Sequence, residues 1–221
     1  MPEVLIVVHG LHQDAPQWLD CMWGNPSKNI YGRASRALRI SEKYSSALLF
    51  LGGGGIVDGL GVSVAQATRE LILQKASEMY DCSFDVGSCP YKTLHDRLLE
   101  DVAASNTQEE IENAFEVCRR QSVPKIILVS SPTHIARCLQ EALVVKENFG
   151  YDVAIQACPS DVNYVGTSAS DVVVIEPPHL PEAPHEPFHL LVRRVIPFMK
   201  AREKGHDFAD EFEKLILRHE K

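Results

Sequence analysis

Short apolar runs, each stopped by a polar or glycine segment, restrict this fold most. Val4–Val8 is one such run and closes at His9-Gly10. Ala47–Leu51 stops at Gly52-Gly53-Gly54-Gly55, and residues 125–129 stop at Ser130-Ser131-Pro132. Continuous apolar runs of this length read as strands buried on both faces. Alternating with helices, they build a Rossmann-like three-layer α/β sandwich, a mostly parallel sheet with helices on both faces. Ligands of such sheets sit in the crevice at the carboxyl ends of the strands, where these polar segments fall.

The other elements follow from the same two periodicities. Ala34, Ala37, Leu38 and Ser41 predict a helix over 33–44, and Ala65, Leu71, Ile72 and Met79 another over 62–79. Leu98-Leu99-Glu100 fits a short third strand, and Ser105 or Asn106 caps a helix running to about Arg120. A helix over 132–146 and strands over 152–157 and 171–175 come next. Residues 11–31 and 80–93 lack a clean period and read as loops. Prolines at 177, 178, 181, 184 and 187 precede amphipathic helices over 188–200 and 208–219. With no internal repeat, the 221 residues are expected to form one domain.

Composition narrows the partners. A formal net charge of −8 argues against nucleic acid, which favours a basic face. No run of about 18 apolar residues occurs, so no membrane span is expected, and the N-terminus has no basic region of a secretory signal. Six cysteines lie scattered without a C-x-x-C pair, which fits free thiols and a reducing, cytoplasmic compartment. Cys82 and Cys89 flank a loop, but nothing requires them to pair. The acidic C-terminal helices fit a solvated face or a homodimer contact equally well.

Three segments in order carry a resemblance. They are Gly52-Gly53-Gly54-Gly55 with Ser63, then Asn106-Thr107-Gln108-Glu109-Glu110, then Ser130-Ser131-Pro132-Thr133-His134-Ile135-Ala136-Arg137. Over roughly residues 33–158 this set resembles the YdcF-like family, which includes the SanA and ElyC envelope proteins. The family's Ser-Glu-Ala start of the second helix appears here as Ser63-Val64-Ala65, without the acidic residue. The envelope members' N-terminal membrane helix is also missing, so the chain looks more like the soluble branch. The resemblance implies binding of S-adenosylmethionine or another nucleotide-like molecule.

Site chemistry is read from the same segments. Gly52, Gly53, Gly54 and Gly55 allow close approach of an anion to backbone N–H groups, or serve only as a tight turn. Ser130 and Ser131 lie at the start of a helix, where the dipole favours negative charge. His134 and Arg137, at i and i+3, share a face of that helix. Arg137 suits a carboxylate or phosphate, and His134 suits acid–base work. Asn106, Thr107 and Glu109 are either a helix cap or a set of ligand contacts, with Glu109 a second catalytic candidate. Ser63 and His9 complete the ligand-binding set.

Two further strings are set aside. His185-Glu186-Pro187-Phe188-His189 matches H-E-x-x-H, but Pro187 prevents a continuous helix through both histidines unless it lies in the first turn, so no metal site is assigned. Val8-His9-Gly10-Leu11 resembles a hydrolase oxyanion loop, yet the nearest elbow, Gly61-Val62-Ser63-Val64-Ala65, has no strand before it. The expected function is binding of a small anionic, nucleotide-like metabolite, with group transfer or hydrolysis on it. A sensor without turnover and an α/β serine hydrolase are the alternatives.

Overall fold

The structure is a computed structural model that describes residues 1–79, 93–164 and 167. Among the described residues five strands form one parallel sheet: β1 (Val4–Val8), β4 (Ala47–Leu51), β5 (Leu98–Glu100), β6 (Lys125–Ser130) and β7 (Ala154–Pro159). Their spatial order is β5-β4-β1-β6-β7. The chain winds outward from β1 on one side, then returns to β1's other edge and winds outward again. The direction therefore reverses between β1 and β6, and the crevice of a doubly wound sheet opens there. All of this lies in the compact unit Met1–Gly166.

β1 is buried along its whole length because it has a strand on each edge and a helical layer on each face. Val4, Ile6 and Val8 join a core with α2 (Arg33–Ser41) and α3 (Val64–Lys75). Leu5 and Val7 join the opposite core with α5 (Thr107–Gln121) and α6 (Ile135–Phe149). This alternation is the period-two geometry of a strand, and a continuous apolar run is its signature when both faces are covered.

The loop expected over 11–31 contains a short helix, α1 (Trp18–Met22), and a two-stranded ribbon of β2 (Gly24–Asn25) and β3 (Ile30–Tyr31). Tertiary packing makes these elements, because Met22 and Trp23 are buried in the core under α2. α6 begins three residues later than expected: Ser131 O accepts from both His134 N (2.9 Å) and Ile135 N (3.0 Å) in a preceding turn. β7 likewise starts at Ala154, two residues late. The third strand is short as expected, with α4 (Leu94–Arg97) leading into it. The strand over 171–175, the helices over 188–200 and 208–219, the His185–His189 string and the Cys82/Cys89 loop lie outside the described residues. Among the described residues no helix is long and apolar enough to cross a membrane.

Gly54 and Gly55 make the turn after β4 possible by packing against backbone. A methyl group on Gly54 would overlap the Asp101 carbonyl, and one on Gly55 the Ala103 carbonyl. Gly59 has open space around its Cα. Gly54→Ala is therefore expected to cost about 1–3 kcal/mol in chemical denaturation, an ordinary overpacking penalty, whereas Gly59→Ala is near neutral. Equal stabilities for the two variants would contradict this packing.

Candidate functional site

Strand alternation delivers the polar residues of the crevice to opposite faces. His9 continues the parity of Leu5 and Val7 and points toward α5. Its Nδ1 lies 2.7 Å from Glu110 Oε2. A carboxylate only accepts, so Nδ1 carries the proton. Glu110 Oε1 accepts from Gly10 N–H at 3.2 Å. At the end of β6, Ser130 turns toward α6, with Oγ 2.9 Å from His134 Nδ1. Ser131 turns toward α2, and its Oγ accepts from Arg33 Nε at 3.0 Å.

Arg33 is the most unusual member of this group. It is fully buried at the first position of α2. Its Nη1 donates to His9 O (2.9 Å) and Gly10 O (2.6 Å), and its Nη2 to the Tyr164 hydroxyl. The guanidinium carbon lies 5.2 Å from the centroid of the Tyr164 ring. Among the described residues, every hydrogen-bond partner of this cation is neutral.

On the other face, a polar cluster surrounds Cys138, one turn into α6. Its Sγ is 3.5 Å from His134 Nδ1, and His134 Nε2 is 3.3 Å from Thr107 Oγ1. The His9 and His134 rings meet edge-on with centroids 6.1 Å apart. His9 Nε2 is buried without a partner in hydrogen-bond geometry. Burial alone would push the His9 imidazole pKa down, but the Cys138 sulfur and the Glu110 carboxylate outweigh it and raise it to about 9. Burial likewise pushes the Cys138 thiol up, and His9 and His134 outweigh it and bring it down to about 6. By contrast, burial pushes Cys118 up to about 12 and also raises Cys21 and Cys158.

The sequence-derived residues fall into distinct places. His9, Ser130, Ser131, Thr107 and His134 converge on the strand ends between β1 and β6. The space beside Gly52 and Gly53 is filled by protein: a methyl on Gly52 would meet Glu110 Cδ at 2.5 Å, and one on Gly53 would meet Val64 at 3.0 Å. A carboxylate there repels a second anion. Ser63 caps α3, its Oγ accepting from Gln66 N (3.1 Å). Asn106 caps α5, accepting from Glu109 N (3.0 Å). Glu109 is half-buried and accepts from Ser105 N (2.7 Å) and Oγ (2.9 Å), which lowers its pKa. Arg137 lies on the solvent side of α6, 3.9 Å from Glu141. Arg33, Glu110 and Cys138 were not singled out from the sequence, although Arg33-Ala37-Ser41 and Glu110-Ala114-Cys118 keep the i, i+4 spacing of a buried stripe.

No protein-family model matches the chain, and no solved structure matches it significantly. The site is accordingly read from its geometry.

The coupled pair makes a specific statement about pH. The raised His9 stabilises the fold fully below its ordinary value of 6.5, and that contribution is lost as pH rises to about 9. The lowered Cys138 stabilises fully above its ordinary value of 9.0, and that contribution is lost as pH falls to about 6. Between these limits the folded chain holds one proton, on His9, and the unfolded chain also holds one, on the thiol. Equal proton counts give no slope. Thiolate ultraviolet absorbance is therefore expected to titrate near pH 6 and to vanish in Cys138→Ser. From this pair, stability should stay flat up to about pH 9. Absorbance that appears only near pH 9 would show that the pair does not form.

Proposed function

We propose that the protein binds a small anionic, nucleotide-like metabolite at the strand ends between β1 and β6. The observation that carries this reading is Arg33, a fully buried guanidinium whose described partners are all neutral. An uncompensated buried charge costs several kcal/mol. The nearby carboxylate, Glu110, is already committed to His9 across the Gly10 peptide. A ligand carboxylate or phosphate supplies the missing charge, and guanidinium forks favour both.

Placement at the reversal point of strand order supports a nucleotide-like ligand, as does the YdcF-like resemblance, which implies S-adenosylmethionine or a related molecule. These supports are analogies of fold and motif, whereas the anion preference comes from the site itself. His134, between Ser130 and Thr107 at the same edge, is the residue placed to exchange a proton during group transfer or hydrolysis. Binding without turnover is the second reading. Glu109, the other catalytic candidate, is engaged as a cap with Ser105, which favours it. A serine hydrolase is less well supported, because Ser63 caps α3.

Thermal-shift measurements against nucleotides, S-adenosylmethionine and sugar phosphates test the reading. A ligand at 100 times its Kd stabilises by about 2.7 kcal/mol. Arg33→Lys keeps the charge but loses the fork, and is expected to weaken a hit about ten-fold or more. Arg137→Ala, on the outer face, is expected to leave it unchanged. A panel with no stabilising anion, or a hit indifferent to Arg33→Lys, would sink the proposal.

A further inference from the structure

The segment after β7, residues 160–164, crosses the strand ends and is fastened at several points. Ser160 N donates to Ser130 O (2.8 Å), tying the segment to β6. Asp161 exchanges two hydrogen bonds with the Tyr31 backbone, each 2.8 Å, and pairs with Arg36 of α2. Cys21 Sγ donates to Asn163 O at 3.3 Å. The last two side chains then turn inward onto the crevice.

What those side chains do there is informative. Asn163 Oδ1 accepts from Thr133 twice, from Oγ1 at 2.6 Å and from the backbone N–H at 3.5 Å. Thr133 lies in the turn that opens α6, beside the dipole end that attracts negative charge. Tyr164 Oη accepts from Arg33 Nη2. Ser131, whose Oγ accepts from Arg33 Nε, stands two residues before Thr133 in the chain, at the end of β6. Two neutral oxygens from adjacent residues thus sit on a guanidinium and on a hydroxyl–amide pair. Such donors hold the oxygens of an oxyanion more strongly than they hold a phenol or a carboxamide.

The geometry points to residues 160–164 as a built-in placeholder, with Asn163 Oδ1 and Tyr164 Oη each occupying a seat that an oxygen of an anionic ligand would take. The inference rests on the reading of this crevice as an anion site, and it names the ligand group and the residues that the ligand displaces. Binding exchanges two neutral acceptors for charged ones, so the ligand trades against contacts of the chain itself. Affinity is then set partly by how firmly the segment holds. A phosphate and a carboxylate both suit these donors, and inorganic phosphate and acetate separate the two sources.

Two variants of the full chain test this, measured at neutral pH. Asn163→Asp places a carboxylate in one seat with little change of shape. It is expected to raise the unfolding temperature of the ligand-free protein and to abolish phosphate or acetate binding. Tyr164→Phe removes one competing oxygen and is expected to tighten whichever anion binds by about five-fold, the worth of one ordinary hydrogen bond. A lower unfolding temperature in Asn163→Asp overturns the inference, as does unchanged or weaker binding in Tyr164→Phe. The two failures separate. Stabilisation by Asn163→Asp with no nucleotide-like hit overturns the metabolite reading and keeps the oxyanion seat. A nucleotide-like hit that needs Arg33 but ignores both variants overturns the seat alone.

Discussion

The His9-Gly10 peptide, just beyond the central strand, is gripped from both faces of the sheet. Glu110 of α5 holds the His9 ring and the Gly10 N–H, and Arg33 of α2 holds the carbonyls of both residues. One carboxylate and one guanidinium are thus buried on opposite sides of a single stretch of backbone. Each helical layer contributes one charge, so the two layers are coupled at the point where the strands end. Removing either side chain would strip the His9-Gly10 stretch of its buried hydrogen-bond partners on that face, and buried polar groups left unpaired are expensive. The crevice is therefore polar by construction, and its hydrogen bonds gain strength from the low local dielectric.

This clamp also explains the glycines around it. A methyl on Gly10 would press on Glu110 Oε1 at 2.9 Å and on Val64 Cγ1 at 3.1 Å. The side chain of residue 64 and the Glu110 carboxylate therefore share one corner of the crevice. In that corner α3 contributes the neutral side chain of Val64 and α5 contributes the carboxylate. The negative group occupies the glycine side, and the guanidinium of Arg33 lies on the Ser131 side. Charge, more than room, divides the crevice.

Much of this fold was legible from residue patterns because strand burial on both faces leaves an apolar run that nothing else explains. Val4–Val8 and Ala47–Leu51 are found with the bounds their composition predicts. The elements around Trp18 and Trp23 were not legible, since they form by packing under α2 and have no period of their own. In the site, Ser130, Ser131 and His134 could be placed by following a strand to its end. Arg33 and Glu110 could not be paired with anything, because their partners lie far away in sequence at Ser131 and His9. Their positions were nevertheless marked, since each stands on a stripe of small or apolar residues where a charge is out of place. A charge at such a position is a better pointer to a site than Asn106 or Glu109, which satisfy purely local capping needs.

The pairing of β1 has a consequence for how the chain assembles. One edge of β1 meets Ala47–Leu51, while the other waits for Ile126–Val129 from the second half of the chain. During synthesis the first pairing is available long before the second, so the most apolar strand is exposed along one edge in the interim. An unpaired strand edge is the feature through which nascent chains aggregate. Ser131 and Glu110, the far halves of the polar clamp, also come late. The donors and acceptors around His9 stay hydrated until the sheet closes over them, so closing the sheet and completing the crevice are one event in the life of the molecule.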